Sequence, residues 1–351
     1  MRIAQTRFRN FRNLENSLVE WGNGINLLTG VNGSGKTNAL EALHILTGWG
    51  RFSGAKFVDV VKWDSSGGSF LAAKMEGEKE AVVQVNIVPK RSLRLDGQAC
   101  RWGDLRGCVQ SLSFLPSDMA LIEGSPEVRR KFLDVICALY FPLYAYKLSE
   151  YKKITMHRRY LLKLGHSVRI TQETMAKLAA WVWSCREEIV KLLRANLALW
   201  CDLLPQELSV ELRRGGAGNC EDPLEDFHRS SELLAEKERM LASPLVGPHR
   251  DELVLTSNSR AAFEAFSRGQ RRRAALSLVM AAASTVQRRY KMSPVLILDE
   301  VTSELDAAGR SILFECLKRS GWQTFATTAE SVLPNFEGTK WNLSCGSLKK
   351  L

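Results

Sequence analysis

Long apolar runs are missing from this chain. Its fully apolar stretches are short, Val295–Leu298 among them, where a membrane-spanning helix needs about 20 residues. The opening Met1-Arg-Ile-Ala-Gln-Thr-Arg7 alternates polar and apolar residues and lacks the apolar core of a signal peptide; a cytoplasmic protein is expected. There is no internal repeat and no low-complexity tract. With 45% apolar residues in 351, there is enough for a real core, in one large domain or two ordinary ones. Close cysteine pairs are missing too. The eight cysteines neither pair at short spacing nor meet a histidine at zinc-finger spacing, which argues against a structural metal site. They read as small buried hydrophobes of a reducing compartment. Acidic residues are in deficit: 38 Asp and Glu against 49 Lys and Arg give +11 and a pI near 9.3. That surplus favours nucleic acid or an anionic membrane as partner, and the short apolar stretches weigh against the membrane.

What is present falls into three parts. Residues 1–115 read as strands and turns around one helix, with Ile25–Leu28 feeding a loop and a helix over Asn38–Leu46. Strands are expected at Ser69–Met75, Ala81–Val88 and Ser92–Leu95, and Asp96-Gly97 signals a hairpin turn. Residues 116–242 are mostly helical. Within Thr171–Leu204 the residues Met175, Leu178, Val182, Cys185, Ile189, Leu192, Asn196 and Leu199 recur in steps of three and four. That is a heptad seam with one polar member, expected to pack inside its own lobe, with Pro205 ending the helix. From 243 to 351 strand signals return at Glu252–Thr256, Val295–Leu298 and Gln323–Ala326. The fold class expected is α/β, interrupted by a helical lobe and then resumed.

The chemistry lies at the two ends of the chain. Gly30-Val31-Asn32-Gly33-Ser34-Gly35-Lys36-Thr37, followed by Asn38, is a phosphate-binding loop in a strand–loop–helix setting. Its glycines let backbone N–H groups curl round phosphates, and the helix adds its positive dipole end. Lys36 is expected to bridge the β- and γ-phosphates of ATP, and the Thr37 hydroxyl to bind Mg²⁺. Val295-Leu-Ile-Leu-Asp299-Glu300 reads as a buried parallel strand ending at that site. Asp299 is expected to hold the metal and Glu300 to polarise the attacking water. Ser267-Arg268-Gly269-Gln270 opens a further helix, whose capped start suits a γ-phosphate. Placed on a second subunit, Ser267 would act in trans on the nucleotide held by the first; Ser303-Glu-Leu-Asp306 follows.

These motifs resemble ATP-binding-cassette ATPases of the chromosome-maintenance and recombination branch, and the whole chain resembles the RecF family. The likeness runs through Phe8-Arg-Asn-Phe11, Gly30–Asn38, Gly50-Arg51-Phe52 and Phe114-Leu-Pro-Ser-Asp118. It continues through Gly124-Ser-Pro126, Arg129–Asp134, Gly247-Pro-His-Arg-Asp251 and the late motifs. The resemblance implies a cassette ATPase lobe with a mostly helical second lobe and no long coiled coil. It implies ATP-dependent homodimers that bind duplex or gapped DNA, and slow, DNA-stimulated hydrolysis that resets them. It also implies work with RecR and RecO in loading RecA during recombinational repair and replication restart, in association with the nucleoid. By the same resemblance Lys36, Thr37, Asp299 and Glu300 act in one subunit, Ser267 comes from the other, and Asp306 lies in the loop joining the two sites. Two departures stand out: cassette ATPases in general favour Gly where Arg268 sits, and Thr327-Thr328 stand where a switch histidine is usual. Gln110 is the nearest candidate for the metal-sensing glutamine.

Cations crowd the start of the helical lobe: Lys147, Lys152, Lys153, Arg158, Arg159, Lys163 and Arg169, with Arg271–Arg273 and Arg288-Arg289 later. Lys152, Arg159 and Lys163 share a helical face and, with Lys153, are the candidate DNA contacts, to backbone phosphate without base readout. Roughly 230 residues separate Thr37 from Ser267, much of it in strands, so at ~1.5 Å per residue no long coiled-coil tether fits. A nuclease would need a further acidic cluster, and a helicase motor would not carry the Ser267 and Asp306 motifs. An ATPase subunit of another DNA-processing assembly is the alternative.

Overall fold

The structure is a computed structural model that describes residues 1–52, 57–62, 67–88, 90–204, 206–330 and 336–351; Pro205 lies outside the described residues. Two compact units emerge, one from Met1–Asp118 with Val286–Leu351, the other from Met119–Thr285. The sequence had set these divisions at 115/116 and 242/243.

The first unit holds two six-stranded sheets. One is antiparallel, in the order β2-β1-β4-β5-β6-β7, from β1 (Arg2–Arg9), β2 (Ser17–Glu20), β4 (Phe70–Glu76), β5 (Ala81–Asn86), β6 (Ser92–Leu95) and β7 (Gln98–Ala99). Its strands alternate in burial, as in β4, where Leu71, Ala73 and Met75 turn inward. Asp96 and Gly97, both at positive φ, make the β6–β7 turn. The other sheet has the order β15-β14-β3-β13-β12-β8. Its strands are β3 (Ile25–Thr29), β8 (Ser111–Phe114), β12 (Val295–Leu298), β13 (Thr324–Thr327), β14 (Thr339–Ser344) and β15 (Ser347–Lys350). Every residue of β3, β12 and β13 is buried, so none of them alternates; β12 is apolar throughout, while β3 and β13 also bury Asn26, Thr29, Thr324 and Thr327.

Helix α1 (Lys36–Leu46) contacts strands of both sheets. Beyond its first turn it is mostly buried, with Ala39, Leu40, Ala42, Leu43, Ile45 and Leu46 fully so. Its one buried acid, Glu41, takes Arg12 Nε at 2.7 Å and the Phe52 N–H at 3.2 Å, and pairs with Arg51. That gives Gly50-Arg51-Phe52 its role, as a strap on α1. A second helix, α2 (Trp102–Cys108), was not foreseen, and neither were β14 and β15.

The second unit is helical with a small sheet: α3 (Ala120–Glu123), α4 (Pro126–Tyr140), α5 (Tyr144–Lys163), α6 (Arg169–Leu197), α7 (Pro223–Leu241) and α8 (Ala262–Ala265), then α9 (Arg268–Tyr290), which crosses into the first segment's territory of sequence. The strand expected after residue 243, β10 (Glu252–Ser257), pairs with β9 (Ser209–Arg213) and β11 (Arg260–Ala261) and not with the nucleotide sheet. Helix α6 contacts α4, α5, α7 and β9, so its seam packs inside its own lobe. The buried surface is broader than the heptad pattern. Met175, Val182, Ile189 and Asn196 are buried, but Leu199 is 48% exposed, and Ala179, Trp183, Arg186, Val190 and Leu193 join the buried stripe. Asn196 Nδ2 donates to Thr285 Oγ1 at 2.8 Å.

At the centre of this unit lies Gly247–Asp251. Asp251 is fully buried and accepts from Trp183 Nε1 (2.7 Å), the Gly215 N–H (2.8 Å) and Arg186 Nη1 (2.6 Å). Arg186, 2% exposed, also donates to Pro248 O, Asp134 Oδ1 and Tyr144 Oη. His249 Nε2 faces the Pro244 carbonyl, which can only accept, so Nε2 carries the proton and Nδ1 accepts from the Tyr151 hydroxyl at 2.6 Å. Gly247 sits at φ 127°, and a Cβ there would meet the Tyr151 oxygen at 2.1 Å.

Candidate functional site

In the parallel sheet Leu27 pairs with Ala326, and Ala326 with Leu298, so the carboxyl ends of β3, β13 and β12 lie side by side. The crevice beyond such ends is where α/β sheets bind ligands. β3 leads straight into the phosphate loop. Gly30 (φ 150°) could carry no side chain, because a Cβ would stand 2.3 Å from Leu343 O. Gly35 (φ 112°) is the N-cap of α1, and its Cβ would stand 2.7 Å from Asn13 Oδ1. Val31, Asn32 and Gly33 are exposed, while Ser34, Gly35 and Lys36 are buried. The Ser34 hydroxyl is buried without a hydrogen-bond partner among the described residues. Lys36 Nζ donates to Gly30 O at 2.7 Å and Val31 O at 3.0 Å. Burial lowers its pKa, against the opposing pull of Asp299 and Glu300.

Thr37 Oγ1 donates to Asp299 Oδ2 at 2.9 Å, joining residues 262 apart in sequence. Asp299 is 4% exposed and also accepts from Thr327 Oγ1 at 2.6 Å. Glu300, exposed and at φ 48°, has its N–H donating to the same Thr327 hydroxyl at 2.7 Å. Among the described residues there is no cluster of three or more His, Cys, Asp or Glu able to cage a metal. A hydroxyl and a carboxylate side by side are instead the hard-oxygen pair with which Mg²⁺ is usually held, phosphate and water completing its shell. Thr37 spends its proton on Asp299 and keeps lone pairs for a cation. The unpartnered Ser34 hydroxyl and the exposed loop fit a phosphate chain equally well. Asn13, which the sequence did not single out, donates to Gly33 O at 3.2 Å and accepts from Asn38 Nδ2 at 2.7 Å.

Past Glu300, the Ser303 N–H donates to Glu300 O, and Asp306 caps α10 (Ala307–Ser320) by accepting from the Gly309 N–H at 2.7 Å. Gln110 needs a correction. It precedes β8, with Nε2 donating to Gly107 O at 3.1 Å, and its carbonyl takes the Val295 N–H. Asp299 takes up with Phe114 O at the other end of β8, so a strand of roughly 13 Å separates Gln110 from the acids. It is not placed to sense a metal there.

In the second unit Ser267 and Gln270 form a reciprocal capping box: Ser267 N–H to Gln270 Oε1 at 2.8 Å, and Gln270 N–H to Ser267 Oγ at 3.4 Å. Ser267 is exposed and Gly269 half-buried. On α5, Lys152, Lys153, Arg159 and Lys163 are all exposed, Lys153 pairing with Glu150. Arg158 does not belong with them. It is buried and held by Glu238 at 2.6 Å, a partner 80 residues away that local spacing cannot reveal. Of the later cations, Arg272 is buried and Arg271 pairs with Glu123 at 3.0 Å.

Residues 2–337 match the RecF/RecN/SMC N-terminal domain family. The DNA replication and repair protein RecF of Bacillus cereus (strain AH820) is 30% identical over 349 residues, 93% of this chain and 92% of that protein, as is RecF of Bacillus anthracis (strain A0248). A solved structure of the recombination mediator protein RecF with ATP, in the RecFOR pathway, superposes with a TM-score of 0.83 at 25% identity, over 99% of this chain and 97% of that one. An Smc head bound to the winged-helix domain of ScpA shares the fold alone, with a TM-score of 0.61 at 16% identity, over 100% of this chain and 97% of that one. The fold is thus that of an ABC-type ATPase head, and the chain belongs to the RecF/RecN/SMC family and, within it, to the RecF proteins.

Proposed function

We propose that this chain is an ATP-gated DNA clamp of recombinational repair, in which ATP turnover acts as a timer and not as a motor. The observation that carries this is the Thr37–Asp299 hydrogen bond at 2.9 Å, which unites the phosphate loop with the acids of β12. Backbone N–H groups of Gly33–Thr37, the Ser34 hydroxyl and Lys36 bind the phosphates of ATP. Mg²⁺, held by Thr37 and Asp299, neutralises phosphate charge when bound. Glu300, exposed at the same strand end, orients water for attack on the γ-phosphate. The Ser267 helix start is exposed with its own cap in place; presented by a second copy, it takes the γ-phosphate in trans, and Asp306 lies in the loop between the two sites. ATP thereby closes a homodimer on duplex or gapped DNA, and slow, DNA-stimulated hydrolysis opens it.

Lys152, Lys153, Arg159 and Lys163, exposed on one helix, serve as backbone-phosphate contacts, in keeping with the +11 charge. By its family the clamp works in the cytoplasm at the nucleoid, with RecR and RecO, toward the loading of RecA. Sedimentation with ATP and gapped DNA tests the scheme. Wild type is expected to dimerise only with ATP, more tightly with DNA, and to lose DNA affinity steeply with salt; Lys36→Met and Ser267→Arg are expected to stay monomeric. A Ser267→Arg protein that dimerised normally would remove the trans site.

A further inference from the structure

Where the family resemblance leads one to expect a switch histidine, β13 ends on Thr327 and Thr328 follows it, and both are fully buried. The Thr327 hydroxyl has one proton and two lone pairs, and its geometry uses both kinds of capacity. It donates to Asp299 Oδ1 at 2.6 Å and accepts the Glu300 N–H at 2.7 Å. Asp299 is therefore held by two hydroxyls, Thr327 on Oδ1 at 2.6 Å and Thr37 on Oδ2 at 2.9 Å, with Thr37 also 3.2 Å from Oδ1. Glu300 is held at φ 48°, a left-handed conformation uncommon for a non-glycine residue. The support is its own N–H on Thr327 and the next N–H, from Val301, on the Thr327 carbonyl at 3.0 Å. Thr328 continues the anchorage: its hydroxyl meets Thr302 Oγ1 at 2.6 Å, immediately before Ser303, and its N–H binds Leu28 O in β3 at 3.1 Å. The end of β13 is thus tied to the strand bearing the phosphate loop, to both acids, and to the start of the Ser303–Asp306 loop.

We infer that Thr327 is a positioning residue for the ATPase reaction, its single hydroxyl setting the carboxylate of Asp299 and the strained backbone of Glu300 at once. Loss of the hydroxyl frees Asp299 to rotate and lets Glu300 relax toward an ordinary backbone conformation. The glycines and Lys36 of the phosphate loop, held by bonds that do not involve the Thr327 hydroxyl, keep their shape. The consequence is specific: metal-dependent steps suffer and metal-free nucleotide binding does not. Supporting hydrogen bonds behind metal ligands are typically worth 10–100-fold in metal affinity or activity. A residue that merely filled the core would instead lower stability and leave the metal dependence alone.

The inference rests on the ATPase reading, so the experiment separates the two. Thr327→Val keeps the shape and removes the hydroxyl; Thr327→Ala and Thr327→Ser both lose the methyl, and only Ser keeps the hydroxyl. Affinity for ATP is measured by titration calorimetry with and without Mg²⁺, then turnover across a Mg²⁺ series, with thermal midpoints alongside. For Val and Ala we expect the Mg²⁺ needed for half-maximal turnover to rise about tenfold and turnover to fall about 10–100-fold, with metal-free ATP affinity within twofold of wild type. Ser is expected to recover most of both losses. Should Val not fold, the Ala–Ser difference carries the same test. Val or Ala with wild-type Mg²⁺ dependence would overturn the inference, as would equal impairment of Ala and Ser. A wild-type protein that bound no ATP would instead sink the ATPase reading itself.

Discussion

Two glycine-led strings stand out in this sequence, Gly30–Asn38 in the first unit and Gly247–Asp251 in the second, and their polar groups are used in contrasting ways. In the first, Val31, Asn32, Gly33 and Thr37 face solvent, a buried serine hydroxyl has no partner among the described residues, and a lysine rests on the loop's own carbonyls. In the second, polar groups converge inward. Asp251 receives three donors, Arg186 reaches four acceptors or partners, and His249 uses both ring nitrogens. Both strings contain glycines at positive φ that admit no side chain. What separates a binding loop from a structural hub is therefore not glycine content or strain, but whether the hydrogen-bonding capacity is already spent. The Gly-Pro-His-Arg-Asp string has no chemical role visible in sequence because its role is to hold its own unit together.

The contrast is broken most forcefully at Arg186. Arg186→Met leaves the fully buried Asp251 and the half-buried Asp134 without their cation, and losing one member of a buried pair costs about 3–5 kcal/mol. Urea unfolding followed by fluorescence should show the midpoint falling by that equivalent. Nucleotide affinity, where the folded protein persists, should stay within about twofold. Lys36→Met should do the reverse, leaving the midpoint near wild type and removing ATP binding. An Arg186→Met protein as stable as wild type would mean that the hub contributes nothing.

Much of the phosphate site was legible because it is written locally. A short apolar strand, a loop of fixed glycine spacing and a helix that follows it at once can each be read within a dozen residues, and β3, α1 and β12 stand where they were expected. Ser267 and Gln270 were legible for the same reason, a capping box being a four-residue signal. What could not be read depends on distant partners. Arg158 looks like one more surface cation until Glu238 is brought to it. The strand at Glu252–Ser257 carries an ordinary alternating pattern, and nothing in it says that β9 is its neighbour. Gln110 and Thr327 differ only in which end of a strand they occupy, and that decides which of them can reach the acids.

On acidification the two units respond alike. Burial lowers the pKa of His249 to about 4 from an ordinary 6.5, and does the same to His44, whose Nδ1 faces Gly50 O at 2.9 Å in the first unit. Between those pH values the unfolded chain takes up protons that the folded chain refuses, so stability is present above pH 6.5 and is lost as pH falls toward 4. Each histidine contributes about 2–3 kcal/mol to that loss. His249→Gln should lessen the slope between pH 6.5 and 4 in chemical-denaturation curves, and the double change with His44→Gln should lessen it further. A single variant that left the slope intact would show that His249 titrates normally in the fold.

The smallest test is at the rim of the open site. Asn13 is exposed, so its loss should leave stability near wild type, yet it links Gly33 O to the Asn38 side chain across the mouth of the phosphate loop. Those two bonds hold the loop in the shape that phosphate requires, and together they are worth about 1 kcal/mol. Asn13→Ala should therefore weaken ATP about fivefold by calorimetry, with and without Mg²⁺ alike. That metal independence separates it from Thr327, whose loss should be felt only when the metal is present. If Asn13→Ala instead bound ATP as wild type does, the loop would owe its shape to its glycines and to Leu343 and Ser34 alone, and the preformed site would be narrower than the hydrogen bonds suggest.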